Sequence, residues 1–157
     1  MKRLLMPVIV ACVGLVATST TAFADQTFHS VRLSLVSVGG SPLRNGDVVD
    51  IHDNGPVNYA IEEYHLAGAT ANTTYDVEYL VTGAPFGTAV CGSGAFPFPN
   101  GATVKTDLNG NGNSQLKIPP SFVTGLGLHN TTLGLIWVLL DSGSPAYQTS
   151  CISVGLD

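Results

Sequence analysis

The amino-acid sequence predicts an all-β fold built as two stacked antiparallel sheets, with about seven or eight strands. Residues 75–81 alternate between apolar and polar side chains, which is the period of a half-buried strand. The chain has 18 glycines and only 11% charged residues, and long runs of Ala, Leu, Glu and Lys at helical spacing are absent. Many short strands separated by turn residues favour a sandwich or a barrel.

The first 24 residues have the pattern of a secretory signal peptide. Residues 2–3 are basic, residues 4–16 are nearly all apolar, and residues 22–24 read Ala-Phe-Ala, a small-residue cleavage site. The apolar run is shorter than the roughly 20 residues that a membrane span needs. This pattern predicts export of the chain and removal of residues 1–24.

Cleavage would release residues 25–157, enough for a single β-sandwich domain that is secreted and extracellular. An alternative keeps the protein at the cell surface through a lipid anchor at Cys12, because residues 9–12 resemble a bacterial lipoprotein box. No later stretch is long and apolar enough to cross a bilayer, so we predict no integral membrane segment in the mature chain.

The mature chain is acidic. Without residues 2 and 3, four scattered basic side chains face eleven carboxylates, which makes the net charge −7. A nucleic-acid partner needs a cationic surface, and this chain has none to offer. The same charge argues against an anionic membrane surface as the partner.

The mature chain has two cysteines, Cys91 and Cys151. In an oxidising compartment an even pair is most simply explained as one disulfide. It would join a loop in the middle of the chain to the last strand. The alternative, metal binding by two cysteines without nearby partners, is less favoured.

Four strands are predicted in the first half of the mature chain: residues 27–38, 48–52, 57–66 and 75–82. Val36 and Val38 reverse the alternation of the first strand, so we expect a bulge there. Residues 60–66 also fit two helical turns, but a strand is the preferred interpretation.

Four more strands are predicted in the second half: residues 102–106, 114–118, 133–140 and 147–154. The first two should form a hairpin around the Asn- and Gly-rich turn at 107–113, after a long loop at 83–101. Residues 133–140 are continuously apolar and should be a central strand buried on both faces.

Two short motifs carry a resemblance to a known family. Residues 69–77, Ala-Thr-Ala-Asn-Thr-Thr-Tyr-Asp-Val, look like the tyrosine-corner turn of fibronectin type III and bacterial immunoglobulin-like domains. Residues 106–112 resemble a hairpin that recurs in secreted bacterial β-sandwich proteins. The resemblance implies an immunoglobulin-like β-sandwich in which Tyr75 has a structural role: its buried hydroxyl bonds back to the backbone of the turn.

The turn at 107–113 is also a candidate calcium site. Asp107, Asn109, Asn111 and Asn113 occupy alternate positions of a calcium loop, where hard oxygen ligands belong. Ile118 stands where such a loop has its bidentate carboxylate. The alternative interpretation is a hairpin turn with no metal, because Asn and Gly readily adopt left-handed backbone.

Acidic and histidine side chains cluster in two of the predicted strands and the turn between them. They are Asp47, Asp50, His52, Asp53, Glu62, Glu63 and His65. Carboxylates beside histidines can bind a metal or transfer protons. If the two strands pair, a small polar site could form; otherwise these are solvated polar positions.

The loop at 83–101 has the most binding-like composition. Phe86, Phe96 and Phe98 alternate with prolines and could form a rigid apolar patch for an unknown protein or glycan partner. The alternative is that these rings pack over the end of the sandwich beside the disulfide.

The motifs of common enzyme classes, including G-x-S-x-G, H-E-x-x-H and the phosphate-binding loop, are absent from the sequence. We therefore predict a secreted or cell-surface module that acts by binding or as a structural part, without catalysis. The alternative is a small secreted enzyme or metal-dependent protein that uses Asp50, His52 and His65.

Overall fold

The computed structural model describes residues 29–52, 59–82, 91–92, 95–128 and 131–156, and in these it has ten strands and one short helix. The predicted signal peptide, the candidate anchor Cys12, Asp53 and Phe86 lie outside the described residues. In chain order the elements are β1 His29–Ser34, β2 Val36–Ser37, β3 Asn45–His52, β4 Ala60–Ala67, β5 Thr74–Thr82, β6 Ala95–Lys105, β7 Gly112–Ile118, α1 Pro120–Gly125, β8 Thr131–Asp141, β9 Ser144–Gln148 and β10 Ile152–Leu156.

The strands form two antiparallel sheets. The first has the order β1-β3-β4-β7, and the second has the order β2-β9-β8-β5-β6, with β10 also paired to β8. Side chains from the facing sides of both sheets make the core, whose largest fully buried members are Trp137, Tyr64, Tyr75 and Tyr147. The predicted all-β sandwich is confirmed.

The first predicted strand divides between the two sheets at Leu35. Its earlier part, β1, pairs with β3, and its later part, β2, pairs with β9. Leu35 is buried between them, and its N–H donates to the Gly46 carbonyl at 2.8 Å. The sequence predicted a bulge at Val36. The structure shows instead that the alternation reverses there because the chain passes from the first sheet to the second.

The inward rows of β4 and β5 follow the sequence pattern closely. In β4 every second residue from Ala60 to Leu66 is buried, which is the period of a strand and excludes the helical alternative. In β5 the row that begins at Tyr75 is buried and its neighbours are more exposed. These two strands lie in different sheets and bring their inward rows together across the core.

β8 is the central strand of the second sheet, as predicted, and it pairs with β5, β9 and β10. Its inward row from Leu133 to Leu139 is buried. On the outward face Val138 is buried, while Ile136 and Leu140 are only half-buried.

The predicted hairpin around residues 107–113 is wrong. β6 pairs with β5 and β7 pairs with β4, so the turn connects the two sheets, and its flanking strands meet only at one bridge between Thr106 and Gly112. Turn residues specify a chain reversal but not which strand each arm will pair with.

β6 begins at Ala95, inside the segment predicted as loop. Pro97 and Pro99 lie within it, which a sheet tolerates because β6 is an edge strand and one side needs no N–H donors.

The end of the chain also differs from the prediction: the single closing strand predicted at 147–154 is two strands, β9 and β10. The helix α1 was not predicted; Pro120 stands in its first turn, where no N–H is needed.

The turn before β5 is held by a different side chain from the one expected. The Thr106 Oγ1 lies 2.7 Å from the Thr70 carbonyl and accepts the Thr73 N–H at 2.9 Å. The Tyr75 hydroxyl instead meets the Tyr147 hydroxyl at 3.2 Å, and that hydroxyl donates to the Pro42 carbonyl at 2.7 Å. Tyr75 is fully buried, but its bond reaches β9, two strands away in the same sheet.

The predicted disulfide between Cys91 and Cys151 is confirmed, with a Cα–Cα distance of 5.7 Å. It lies against Gly134 in β8, where an added Cβ would be 3.0 Å from the Cys91 nitrogen and 3.3 Å from the Cys151 sulfur. A glycine at this position lets the bridge approach the sheet closely. In the described residues no helix is both long enough and apolar enough to cross a membrane.

Candidate functional site

A cavity of 340 Å³ lies between the two sheets at one end of the sandwich. This end is where β4 starts and where β5 and β7 finish, so Ala60, Val81 and Ile118 line it. The start of β8 and the last strand β10 complete the walls with Leu133, Leu135, Val154 and Leu156. The volume falls at the lower end of the range of small-molecule sites, roughly 300–1,000 Å³.

The helix α1 and the segment after it form one side of the cavity, with Phe122, Val123, Leu126 and Leu128 in the lining. Val123 is buried, and the Phe122 ring packs edge-on against Phe98 of β6 with centroids 5.8 Å apart. The cavity wall therefore joins the helix to the edge strand of the second sheet.

Phe96 and Phe98, predicted as parts of a surface patch, belong to this wall. They pair with Val81 and Tyr79 in the β5–β6 ladder, so both rings point to the same inner face. Phe98 packs against the core, while Phe96 is 38% exposed. The protein or glycan partner predicted for this patch stays a prediction.

Two carboxyl groups, those of Asp50 and Glu62, occupy the polar end of the cavity. They are register partners in the β3–β4 ladder and therefore point to the same side of the sheet. Each residue is only 2% exposed. Two neighbouring acidic side chains in an otherwise apolar interior are the most unusual feature of this core.

The Glu62 carboxyl accepts hydrogen bonds from four side chains. Its Oε1 receives the Tyr79 hydroxyl at 2.8 Å and the Trp137 indole N–H at 3.1 Å. Its Oε2 receives the Asn100 amide at 2.7 Å and the Tyr64 hydroxyl. Since a carboxylate has about four acceptor sites, the protein itself fills them all.

These bonds connect the two sheets. Glu62 and Tyr64 belong to β4 in the first sheet, while Tyr79, Asn100 and Trp137 belong to the second. The Asn100 amide is oriented by its own Oδ1, which accepts the Ala102 N–H at 3.0 Å. The network thus sets the position of one sheet on the other at the edge of the cavity.

Burial raises the pKa of the Glu62 carboxyl above its ordinary value, and the negative charge of Asp50 adds to the rise, while the donors from Tyr64, Tyr79 and Asn100 oppose it. Burial, together with the charge of Glu62, also raises the pKa of Tyr64 and Tyr79. Both phenols therefore keep their protons and remain donors at neutral pH.

Among the described residues, Asp50 is bonded through one oxygen only. Its Oδ2 lies 2.8 Å from the His52 Nε2, and the His52 ring packs edge-on against Tyr59 with centroids 5.6 Å apart. Within the described residues no donor is bonded to the other oxygen, Oδ1. Asp50 thus presents an unused acceptor in the lining of the cavity.

The structure separates His65 from Asp50 and His52. Because Asp50 pairs with Glu62, the neighbouring positions Glu63 and His65 point to the outer face of the sheet. There the His65 Nδ1 lies 2.8 Å from the Asn113 Oδ1. The polar cluster predicted from the sequence is therefore two groups on opposite faces.

The prediction from the sequence included Glu62 among the candidate site residues, but it did not identify the four side chains that donate to Glu62 or the cavity beside it. The usable signal was in β4, where the inward row reads Ala60, Glu62, Tyr64 and Leu66. An acidic residue in a buried row needs partners. Nothing local identified Asn100 or Trp137 as those partners, since they are 38 and 75 residues away.

Two of the four predicted calcium ligands, Asp107 and Asn113, already have side-chain oxygens with partners in the protein. The Asp107 Oδ1 accepts the backbone N–H groups of Asn109 and Asn111 at 2.8 and 2.9 Å, and Asn113 is bonded to His65. The bonds from the backbone N–H groups of Asn111 and Asn109 lower the pKa of the Asp107 carboxyl. Over the described ranges no three His, Cys, Asp or Glu residues form a metal-binding group. Calcium binding here stays a prediction.

Comparisons with protein-family models, with curated proteins and with solved structures gave no match for this chain.

Proposed function

We propose that the protein is a secreted, non-catalytic binding module that holds a small, mainly apolar molecule between its two sheets. The observation that carries this proposal is the 340 Å³ cavity with apolar and aromatic walls and a polar end built from buried acidic residues. Concave, mostly apolar sites with a few convergent polar groups are typical of small-molecule binding.

The size of the cavity supports an occupant. Protein interiors are close-packed, and voids larger than a water molecule are few. The 340 Å³ cavity opens to solvent, yet its walls are almost entirely apolar. Covering these walls with an apolar molecule would remove apolar surface from water, which is favourable.

Two observations support the proposed secretion. The disulfide between Cys91 and Cys151 fits an oxidising compartment, and residues 1–24 have the pattern of an export signal. The anchor at Cys12 would keep the module at the cell surface and would not alter the cavity. The immunoglobulin-like relationship belongs to this proposal too, on the two sequence motifs alone.

The second candidate function, a small secreted enzyme, would now use Asp50 and His52 without His65. The 2.8 Å contact between these two side chains at the cavity could serve proton transfer on a bound molecule. Turnover measured on whatever molecule is found to bind would favour this candidate.

The test is binding of a neutral naphthalene dye that fluoresces in apolar surroundings. We expect saturable binding by the wild type and its loss in Val81→Phe, because the larger ring fills the cavity that Val81 lines. Val104→Phe is the matched control. Val104 is fully buried and absent from the cavity lining, so this change should lower stability through overpacking, by about 1–3 kcal/mol.

The comparison is made below the melting temperature of each variant, so that both proteins are folded. Organic extraction of the protein purified from culture medium, followed by mass spectrometry, should also release a small apolar molecule. A wild type that neither binds the dye nor releases any molecule would contradict the proposal.

A further inference from the structure

We propose that the molecule held in the cavity has a basic amine, whose ammonium group binds Asp50. This inference rests on the proposed binding function and names the chemistry of the ligand's polar end. It is carried by three observations: the sign of the charges in the cavity, the unused oxygen of Asp50, and the full occupancy of Glu62.

The first observation excludes an acidic ligand. The carboxyl groups of Asp50 and Glu62 both line the cavity, and the one basic side chain among the described lining residues, His52, is already bonded to Asp50. A carboxylate or phosphate placed at this end would meet the Asp50 carboxylate in an interior of low polarity, where repulsion between like charges is strong. A cation would be attracted by it.

The second observation identifies the contact atom. Asp50 is 2% exposed, and its Oδ2 is taken by His52. In the described residues its Oδ1 has no hydrogen bond, and Asp50 lines the cavity, so this oxygen can accept a donor from a ligand. An ammonium group has three N–H donors and could bond Oδ1 while its apolar part fills the rest of the cavity.

The third observation assigns the contact to Asp50 alone. The oxygens of Glu62 already accept the donors of Tyr64, Tyr79, Asn100 and Trp137. Binding a ligand there would require breaking one of these inter-sheet bonds. Glu62 therefore holds the wall in place, while Asp50 makes the direct bond.

The experiment compares three molecules with the same eight-carbon chain: n-octylamine, n-octanol and octanoate. Each is titrated against the dye-loaded protein at neutral pH, and displacement gives its affinity. We expect the amine to bind at least about tenfold more tightly than the alcohol, the value of a hydrogen bond between charged groups. Octanoate should bind most weakly.

The variant Asp50→Asn tests the contact atom, and Asp76→Asn is its matched control because Asp76 is exposed on the outer face of β5. Asp50→Asn should weaken the amine about tenfold or more and leave the alcohol unchanged. Asp76→Asn should change neither affinity. Retained binding of the alcohol would also show that Asp50→Asn is folded. If this variant does not fold, the ranking of the three ligands on the wild type tests the amine assignment.

The outcomes separate the two proposals. The amine assignment would be overturned if the amine and the alcohol bound equally well, or if Asp50→Asn left the amine affinity unchanged. The cavity would then remain an apolar binding site. Tighter binding of octanoate would also overturn the amine assignment. Failure of the dye and of all three ligands to bind would overturn both the amine assignment and the binding function.

Discussion

Glu62 is a buried carboxyl group whose oxygens are bonded by side chains of both sheets. A carboxyl group in a buried row opposes folding unless donors meet it, and here four side chains do so from both sheets. The same residue stands beside Asp50 in the lining of the cavity. Sequence rules that a protein breaks in its core often mark a functional position.

Replacing Glu62 by Gln should destabilise the protein by about 1–3 kcal/mol. The Gln side chain has one oxygen and one NH₂ group, and either orientation sets the NH₂ against a group that can only donate, the Trp137 indole or the Asn100 amide. Chemical denaturation measures the loss.

Glu63→Gln is the control for this substitution, since Glu63 lies next in sequence on the outer face with 37% of its side chain exposed. This change should stay within about 0.5 kcal/mol of the wild type. Equal effects of the two substitutions would show that the hydrogen bonds to Glu62 contribute no particular stability.

Glu62 should also give the protein a dependence of stability on pH. Its pKa in the folded state lies above the ordinary value of 4.5, so between these two values the folded state binds more protons than the unfolded state. The contribution of Glu62 is therefore greatest below about pH 4.5 and falls as the pH rises through the folded-state pKa. We therefore expect the melting temperature of the wild type to depend on pH more steeply than that of Glu62→Gln as the pH rises above 4.5. Parallel curves of melting temperature against pH would contradict the raised pKa.

At the scale of elements, the turn at 107–113 joins the two sheets and depends on the Asp107 side chain. Its Oδ1 holds the N–H groups of Asn109 and Asn111, and Gly110 approaches the Ala69 backbone so closely that a Cβ would clash. The backbone of Gly110 also has a φ of 74°, which favours glycine. These contacts stabilise the turn through the protein's own groups.

We therefore expect chelation with EDTA to leave the melting temperature unchanged and Asp107→Ala to lower it. Asp107→Asn keeps an Oδ1 acceptor but loses the charge, so at neutral pH its melting temperature should lie between those of Asp107→Ala and the wild type, and it should match the wild type only below the folded-state carboxyl pKa. Because that pKa is lowered in the fold, the benefit of the charge is present above the ordinary value of 3.8 and lost as the pH falls through the folded-state value. A lower melting temperature in EDTA, restored by calcium, would favour the calcium site instead.

At the scale of the whole molecule, the disulfide closes the end of the chain onto the second sheet. Cys151 directly precedes β10, which contributes Val154 and Leu156 to the cavity wall. The bridge spans 60 residues of sequence, and in the chain-entropy model closing such a loop is worth about 4 kcal/mol. It therefore stabilises the part of the fold that contains the proposed site.

Replacing Cys91 and Cys151 together by Ser should lower the free energy of unfolding by about 4 kcal/mol. We expect the dye affinity to fall as well, because the lower stability would loosen β10 first. Denaturation of the double variant with and without a saturating ligand checks both effects. A variant as stable as the wild type would show that the bridge has no structural role.

The sequence by itself determined the class of the fold, the existence of most strands and the disulfide. Alternation in β4 and β5, the apolar run of β8 and the pair of cysteines are local or compositional signals, and burial on one face of a sheet requires them. They also placed Asp50 and His52 on one face, since residues two apart in a strand point the same way.

Only the tertiary structure decided which strands are neighbours. The first predicted strand divides at Leu35 and the expected hairpin opens between the sheets, because pairing partners depend on contacts across the whole core and not on the turn alone. The register of β3 on β4 then joined Asp50 to Glu62 and sent His65 outward. The cavity and its acidic end arise from that register, and no local pattern encodes it.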